Sequence, residues 1–370
     1  MKHKNYQYRL QPTKKQITLL NRQLGLCQSL YNKLLEQRIQ VYEDEKTSLS
    51  CFDQCNFIAI LKKKEQPELK EVHSQVLQNV ALRIDLAFKA FFRRCKAGEK
   101  PGFPRFKAKE RYDSMTFPQC PTGCYIKDEK TVVGKVGHIK MKLHRPVQGK
   151  VKTATIKRTS TGKWFITFCC EVEEKKARHP SEEAVALDLG LKTFAALSNG
   201  EKIENPRFYR EEEKALQRAQ RRLSKAEGIG RKKPKRVVAR VHERIQNKRK
   251  DFCIKAARNI VAKYSTIFME DLDVNRMTHN HCLAKSIHDV GWSTFTYWLL
   301  FKAEEAGSRV VKVNPAYTSQ DCSSCGHRER KTLGEREHEC HCCGLKCDRD
   351  LNAALNILRL GQQSDSACRK

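Results

Sequence analysis

Cys322-Ser323-Ser324-Cys325-Gly326, then Cys340-His341-Cys342-Cys343-Gly344, then Asp348-Arg349-Asp350-Leu351-Asn352-Ala353-Ala354-Leu355-Asn356-Ile357-Leu358: the stretch from Thr318 to Leu360 decides how the chain is read. Two C-x-x-C pairs suit the four-thiolate tetrahedron of a structural Zn²⁺, with Cys322, Cys325, Cys340 and Cys343 as ligands. The glycine after each pair suits a tight knuckle turn at positive φ. Cys342 and Cys347 are surplus thiols and leave a ligand swap open. The segment that follows has helical periodicity and opens on acids, where a cap and negative charge are favourable and a hard cation could be held. An Asp at such a place is most often a plain cap. Any catalytic role therefore depends on what the rest of the chain brings to it.

Lys and Arg number 73 against 42 Asp and Glu, a net charge of +31 over 370 residues. A soluble surface needs far less, so the excess argues for a polyanionic partner. The cations are spread along the chain and no apolar run approaches bilayer length, which favours nucleic acid over a membrane. The start, Met1-Lys2-His3-Lys4-Asn5-Tyr6, has no apolar signal core. Cysteines with zinc spacing then point to a reducing interior, and a cytoplasmic, nucleoid-associated protein is expected.

Upstream of the knuckles, two apolar strands carry acids. Ala184-Val185-Ala186-Leu187-Asp188-Leu189-Gly190 turns at glycine into Thr193-Phe194-Ala195-Ala196-Leu197, the opening hairpin of an RNase H-like sheet. Thr266-Ile267-Phe268-Met269-Glu270-Asp271-Leu272 delivers carboxylates at its end. A buried strand tolerates an acid poorly without a partner, and carboxylate clusters of this kind suit Mg²⁺. Between them, positions 207–250 hold seventeen Lys and Arg against five Glu, with a narrow seam of Leu216, Ala219, Leu223, Val237, Val241 and Ile245. That pattern predicts a basic helical hairpin. Trp292, Phe295, Leu299 and Ala303 mark another helix, and Arg309-Val310-Val311-Lys312-Val313 a further strand.

Further toward the start, Tyr6-Gln7-Tyr8-Arg9-Leu10 alternates as a strand, and Pro12 precedes helices marked by Ile17, Leu20, Leu24 and Leu30, then by Val76, Val80, Ile84 and Phe88. Lys100-Pro101-Gly102-Phe103-Pro104-Arg105-Phe106-Lys107 ends them, offering cations and aromatics to a phosphate backbone. From Ser114 to Val172 the period becomes two, with strands at Cys124, His138, Lys152 and Trp164, which predicts a small barrel able to hold RNA. The first strand would join that barrel, with the helices inserted. The charged run 171–180 reads as a linker.

Ala186-Leu187-Asp188-Leu189-Gly190, Phe268-Met269-Glu270-Asp271-Leu272, Pro315-Ala316-Tyr317-Thr318-Ser319-Gln320 leading into the first knuckle, and Asp348-Arg349-Asp350-Leu351-Asn352-Ala353-Ala354 together resemble the TnpB family of transposon-encoded proteins, relatives of type V CRISPR effectors. The resemblance covers nearly the whole chain. It implies a RuvC-type, RNase H-like nuclease domain with an inserted zinc ribbon, a small β-barrel (wedge) domain and a helical recognition lobe inserted in the barrel, so that α/β, all-β and all-α parts coexist. On this reading residues 1–10 and 111–178 form the barrel and 11–110 the helical lobe. Residues 179–317 and 347–362 form the nuclease domain, with basic helices at 207–265, 318–346 the ribbon, and 363–370 a flexible tail.

The activity implied is RNA-guided cleavage of double-stranded DNA beside a short flanking motif, by a protein that is a monomer in its ribonucleoprotein. Guide RNA from the transposon end and target DNA are the expected partners, with no membrane. Carried over by motif, Asp188, Glu270 and Asp350 are the catalytic acids and would hold two Mg²⁺ ions. Asp348 is the runner-up for the third position, and Asp271 and Asp273 are read as local acids. A transposase that joins DNA ends, or a guided repressor that binds without cutting, are the alternatives.

Overall fold

The computed structural model describes residues 2–173, 179–332 and 334–368. Part of the expected linker (174–178), one position of the expected ribbon (333) and the last two residues of the expected tail lie outside that set. The chain divides into two compact units, up to Glu174 and from Lys175 onward. Among the described residues, no helix is long and apolar enough to cross a membrane.

In the first unit, β1 (Lys2–Gln11) turns one face inward, burying Tyr6, Tyr8 and Leu10. A capping box then starts α1 (Lys14–Glu45): the Gln16 N–H donates to Thr13 Oγ1 while the Thr13 N–H donates to the Gln16 side chain. Such reciprocal capping satisfies two donors that a helix start leaves without intrahelical partners. Ser50 and Asp53 repeat the device at α2 (Cys51–Lys64), and α3 (Ser74–Lys96) completes the helical insertion. Six strands follow: β2 (Ser114–Phe117), β3 (Cys124–Lys127), β4 (Lys130–Val133), β5 (Gly137–Lys142), β6 (Lys150–Arg158) and β7 (Trp164–Val172). With β1 they make an antiparallel sheet in the order β2-β6-β7-β1-β5-β4-β3, a nearly closed barrel. The first strand of the chain thus lies in the middle of the sheet, with Tyr6 opposite Phe168 and Leu10 opposite Met141. Barrel side chains such as Ile156 and Phe168 share one core with Leu24, Leu34, Val76 and Ile84 of the helices.

The second unit begins with β8 (Ala184–Leu189), β9 (Thr193–Leu197) and β10 (Lys202–Glu204) as an antiparallel meander. Helices α4 (Phe208–Ser224) and α5 (Lys232–Lys263) follow, then β11 (Thr266–Glu270), the short α6 (Val274–Met277), α7 (His281–Val290), α8 (Trp292–Ala306) and β12 (Arg309–Val313). The sheet order is β10-β9-β8-β11-β12, with β11 parallel to both β8 and β12. Leu216, Val241 and Ile245 form the buried seam of the basic helix pair, while Val237, expected in that seam, is 43 % exposed. A two-stranded ribbon, β13 (Glu337–Glu339) with β14 (Lys346–Asp348), leads into α9 (Arg349–Cys368).

Strand alternation assigns the two sheet faces. Val185, Leu187, Ile267 and Met269 pack in one core with residues of α5 and α8, such as Ala257, Ile260, Phe295 and Leu299. The opposite face holds Ala186, Phe268 and Val313, which pack against Ile357 of α9. Gly361 suits this packing because any Cβ there would overlap the Phe268 ring. The residues expected as a flexible tail begin differently: α9 continues to Cys368, since nothing in Gln362-Gln363-Ser364-Asp365 breaks a helix, and Asp365 pairs with Arg309.

Candidate active site

Asp188 follows Ala186 by two positions on β8, and Glu270 follows Phe268 by two on β11, so both carboxylates share the face covered by α9. Leu187 pairs with Met269 in the parallel ladder, which sets Asp188 and Glu270 side by side at the carboxyl ends of neighbouring strands. Asp350 enters this face from the first turn of α9.

The electrostatics record the convergence. Asp188 keeps some solvent exposure, yet its carboxyl is pushed up to about 8, first by desolvation and then by the charges of Glu270 and Asp350. Arg349 partly offsets this. Glu270 is 8 % exposed, and burial raises its carboxyl too, against the opposing pull of a hydrogen bond from Thr318 Oγ1 at 2.5 Å.

Asp348 has a different task. Its Oδ1 accepts the N–H groups of Asp350 (2.9 Å) and Leu351 (3.2 Å), and its Oδ2 meets Lys202 Nζ at 2.6 Å. Partial burial opposes ionisation, but the Lys202 bond and these N–H groups hold the carboxyl below its ordinary range. The capping duty falls on Asp348, so the Asp350 carboxylate remains for other work. Asp271 lies beyond the strand end in an ion pair with Lys312 (2.7 Å), and Asp273 caps α6 through the Arg276 N–H.

The knuckles are built from local backbone. The Cys322 N–H donates to the His327 carbonyl and the Gly326 N–H to the Cys322 carbonyl, and the second knuckle repeats this with Cys340, Leu345 and Gly344. Gly326 and Gly344 have φ of 76° and 75°, which suits residues without a Cβ. The sulfurs of Cys322, Cys325, Cys340 and Cys343 all lie within 4.8 Å of one another, with two pairs at 3.6 Å. A tetrahedron of 2.3 Å Zn–S bonds has edges of about 3.8 Å, so these donors fit a zinc ion. Cys342 and Cys347 fall outside this set of four. N–H donation, foremost from Cys343, brings the Cys340 thiol down to about 6 against the effect of desolvation, favouring the thiolate that zinc needs.

Sequence reasoning passed over the residues that join these two centres. Asn352 and Asn356 lie four apart on α9, both buried. Asn352 accepts the Ser323 N–H (2.8 Å) and donates to the Asp321 carbonyl (2.8 Å), while Asn356 donates to the carbonyls of Thr318 (2.9 Å) and Asp321 (2.6 Å). The first knuckle, Thr318 and therefore the Thr318–Glu270 hydrogen bond hang from one helix face. Two polar residues at i and i+4 in the otherwise apolar stretch Leu351–Leu358 were the available signal.

Comparison with known proteins places this geometry. The family described as "Probable transposase" (OrfB_IS605) matches residues 167–281, and the "Cas12f1-like, TNB domain" matches 292–357. A "Helix-turn-helix domain" matches 1–47, a segment folded here as β1 followed by the single helix α1. The chain is 32 % identical over 370 residues to a protein of Streptomyces pristinaespiralis named "Putative RNA-guided DNA endonuclease", covering 98 % of this chain and 90 % of that one. It is 30 % identical to InsQ of Escherichia coli K12, which carries the same description, covering 96 % and 92 %. In fold it is similar to the protein in a Cas12f1–sgRNA–target DNA complex, with a TM-score of 0.57 at 19 % identity over 93 % of this chain and 82 % of that one. With relatives of this identity matched over nearly their whole length, the chain belongs to the TnpB family of transposon-encoded proteins.

Proposed function

We propose that this chain is an RNA-guided DNA endonuclease that hydrolyses phosphodiester bonds at Asp188, Glu270 and Asp350. The observation that carries the site is the register of β8 with β11: it aligns two acids on the face packed by α9, whose first turn adds the third. Two further points support the reading. The strand order β10-β9-β8-β11-β12, three antiparallel strands continued by two parallel ones, is what an RNase H-like (RuvC) domain requires. Burial, and then the charges of Glu270 and Asp350, raise Asp188, as a cluster of hard oxygen donors would, and such a cluster fits divalent magnesium.

Asp188, Glu270 and Asp350 would together hold two such ions. When bound, the pair supplies an activated water and charge neutralisation for in-line displacement at phosphorus. The protein's own part is to fix the donors: Thr318 orients Glu270, and Asp348 with Lys202 anchors the turn that bears Asp350. We assign residues 1–10 and 111–178 to the wedge barrel, 11–110 to the recognition lobe and 318–346 to the ribbon. The working particle is taken as one protein chain with its guide RNA, acting on DNA in the cytoplasm and nucleoid. The guide supplies target sequence by pairing and the protein reads a short flanking motif.

The test is to assemble the chain with its co-purifying RNA and offer matched and mismatched DNA duplexes. Magnesium-dependent cutting of the matched duplex alone, leaving 5′-phosphate ends, is expected. The description "Probable transposase" favours a second reading, end joining by the same acids. Joined strands formed without RNA would establish that instead.

A further inference from the structure

A cavity of about 310 Å³ in the second unit is lined by Lys192, Arg207, Arg210 and Arg336 together with Leu191, Asn205, Ser286 and Asp289. Four cations therefore face a single acid. That acid is already committed: Asp289 accepts the N–H groups of Tyr209 (2.7 Å) and Arg210 (3.3 Å) and lies 3.6 Å from Arg249. Arg210 donates to Ser286 Oγ at 2.9 Å, and among the described residues no carboxylate is seen paired with Lys192, Arg207, Arg210 or Arg336. Cations crowded into one concavity repel one another unless an anion joins them.

The wall is also held in place. Asn205 donates to the Leu191 carbonyl (2.8 Å) and accepts the Arg207 N–H (3.2 Å), keeping Arg207 at φ 50°, a left-handed conformation uncommon for a residue with a side chain. The four cations are exposed, which suits a chain passing through better than an enclosed small anion. Position is the last point. Leu191 and Lys192 follow, after Gly190, the strand that carries Asp188, and the Arg336 carbonyl accepts the N–H of Arg349, next to Asp350.

The geometry points to a phosphate cradle that holds the backbone of the DNA strand being cut, beside the acids and distinct from them. The guide RNA offers the same phosphodiester chemistry, but placement at the carboxyl end of β8 favours the strand that must reach Asp188. The assignment rests on the endonuclease reading for which strand it holds, not for its affinity for phosphodiesters.

The test uses the full chain with its RNA, carrying Asp188→Asn so that DNA survives, and a fluorescent oligodeoxynucleotide as probe. Arg207→Ala with Arg336→Ala should weaken DNA binding about tenfold and flatten the slope of log affinity against log salt by roughly 0.7 for each phosphate no longer neutralised. RNA affinity and zinc content should stay unchanged, and the paired Arg→Lys variant should recover most of the binding. With Asp188 restored, the alanine variant should cut sub-saturating target about tenfold more slowly. If the double variant does not fold, Lys192→Ala carries the same test at a smaller slope change. An unaltered salt slope overturns the cradle, and a loss confined to RNA affinity assigns it to the guide. Failure of the unmutated protein to cut would instead remove the endonuclease reading and leave the slope measurement standing.

Discussion

The knuckles and the acid cluster sit at opposite ends of a scale of self-sufficiency. The four thiols come from residues 322–343, close to within 4.8 Å, and have their turns completed by their own backbone N–H groups. The three carboxylates come from positions 188, 270 and 350 and lie on three separate elements, and burial together with the charges of the other two raises the Asp188 carboxyl. The first site is a closed tetrahedron, suited to holding structure. The second is an open, charge-frustrated face, suited to exchanging ligands during a reaction. What joins them is a single helix, whose Asn352 and Asn356 hold the knuckle side while Asp350 serves the acid side.

The comparison breaks first if the acids are not a unit. Asp188→Asn should reduce magnesium-dependent cleavage by roughly a thousandfold or more while RNA binding is kept, since it removes one of the acids proposed to hold the metal and few groups that would touch nucleic acid. Cleavage within about tenfold of the unmutated protein would undo the assignment. Asp348→Asn should instead act mainly on stability, by about 1 kcal/mol for a weakened cap, in a denaturant melt.

Next in size is zinc. Removing it with a chelator, or through Cys322→Ser with Cys325→Ser, should release about one zinc per chain and lower the melting temperature of the second unit, because structural zinc binding is folding free energy. Cleavage should fall with it through Asn352 and Asn356. A melting temperature indifferent to zinc would mean the two centres are not coupled.

A finer probe is the hydroxyl between them. Thr318→Val leaves a buried Glu270 oxygen without its donor and should raise the magnesium concentration needed for half-maximal cleavage by about 10–100-fold, the usual effect of losing a ligand's orienting partner. Thr318→Ser should restore it. Equal behaviour of the Val and Ser variants would leave Thr318 a packing residue only.

The smallest effect concerns pH. Without divalent ions Asp188 is protonated in the folded chain up to about pH 8, against an unfolded value near 3.8. The folded state then binds more protons across that interval, so this contribution to stability is complete below pH 4 and is lost as pH rises through 8. The melting temperature of the unmutated apo-protein should therefore fall relative to Asp188→Asn between pH 5 and 9, and magnesium should abolish the difference. A flat difference would mean that the three acids do not share one field.

Sequence alone determined what depends on local spacing. Two C-x-x-C-Gly knuckles, alternating strands, capped helices and an apolar strand bearing one acid are all patterns over a few residues, and periodicity and turn chemistry suffice to read them. It could not choose between Asp348 and Asp350 on physical grounds, because both stand where a cap is expected; only the folded first turn of α9, with Asp348 receiving two N–H groups and Lys202, separates them. Nor could it reveal the Thr318–Glu270 bond, the two asparagine tethers or the four-cation cavity, whose members are drawn from segments far apart in the chain. Hydrogen bonds and charge repulsion act across a few ångströms of space, and which residues share that space is settled by sheet register and by the helix packed on it.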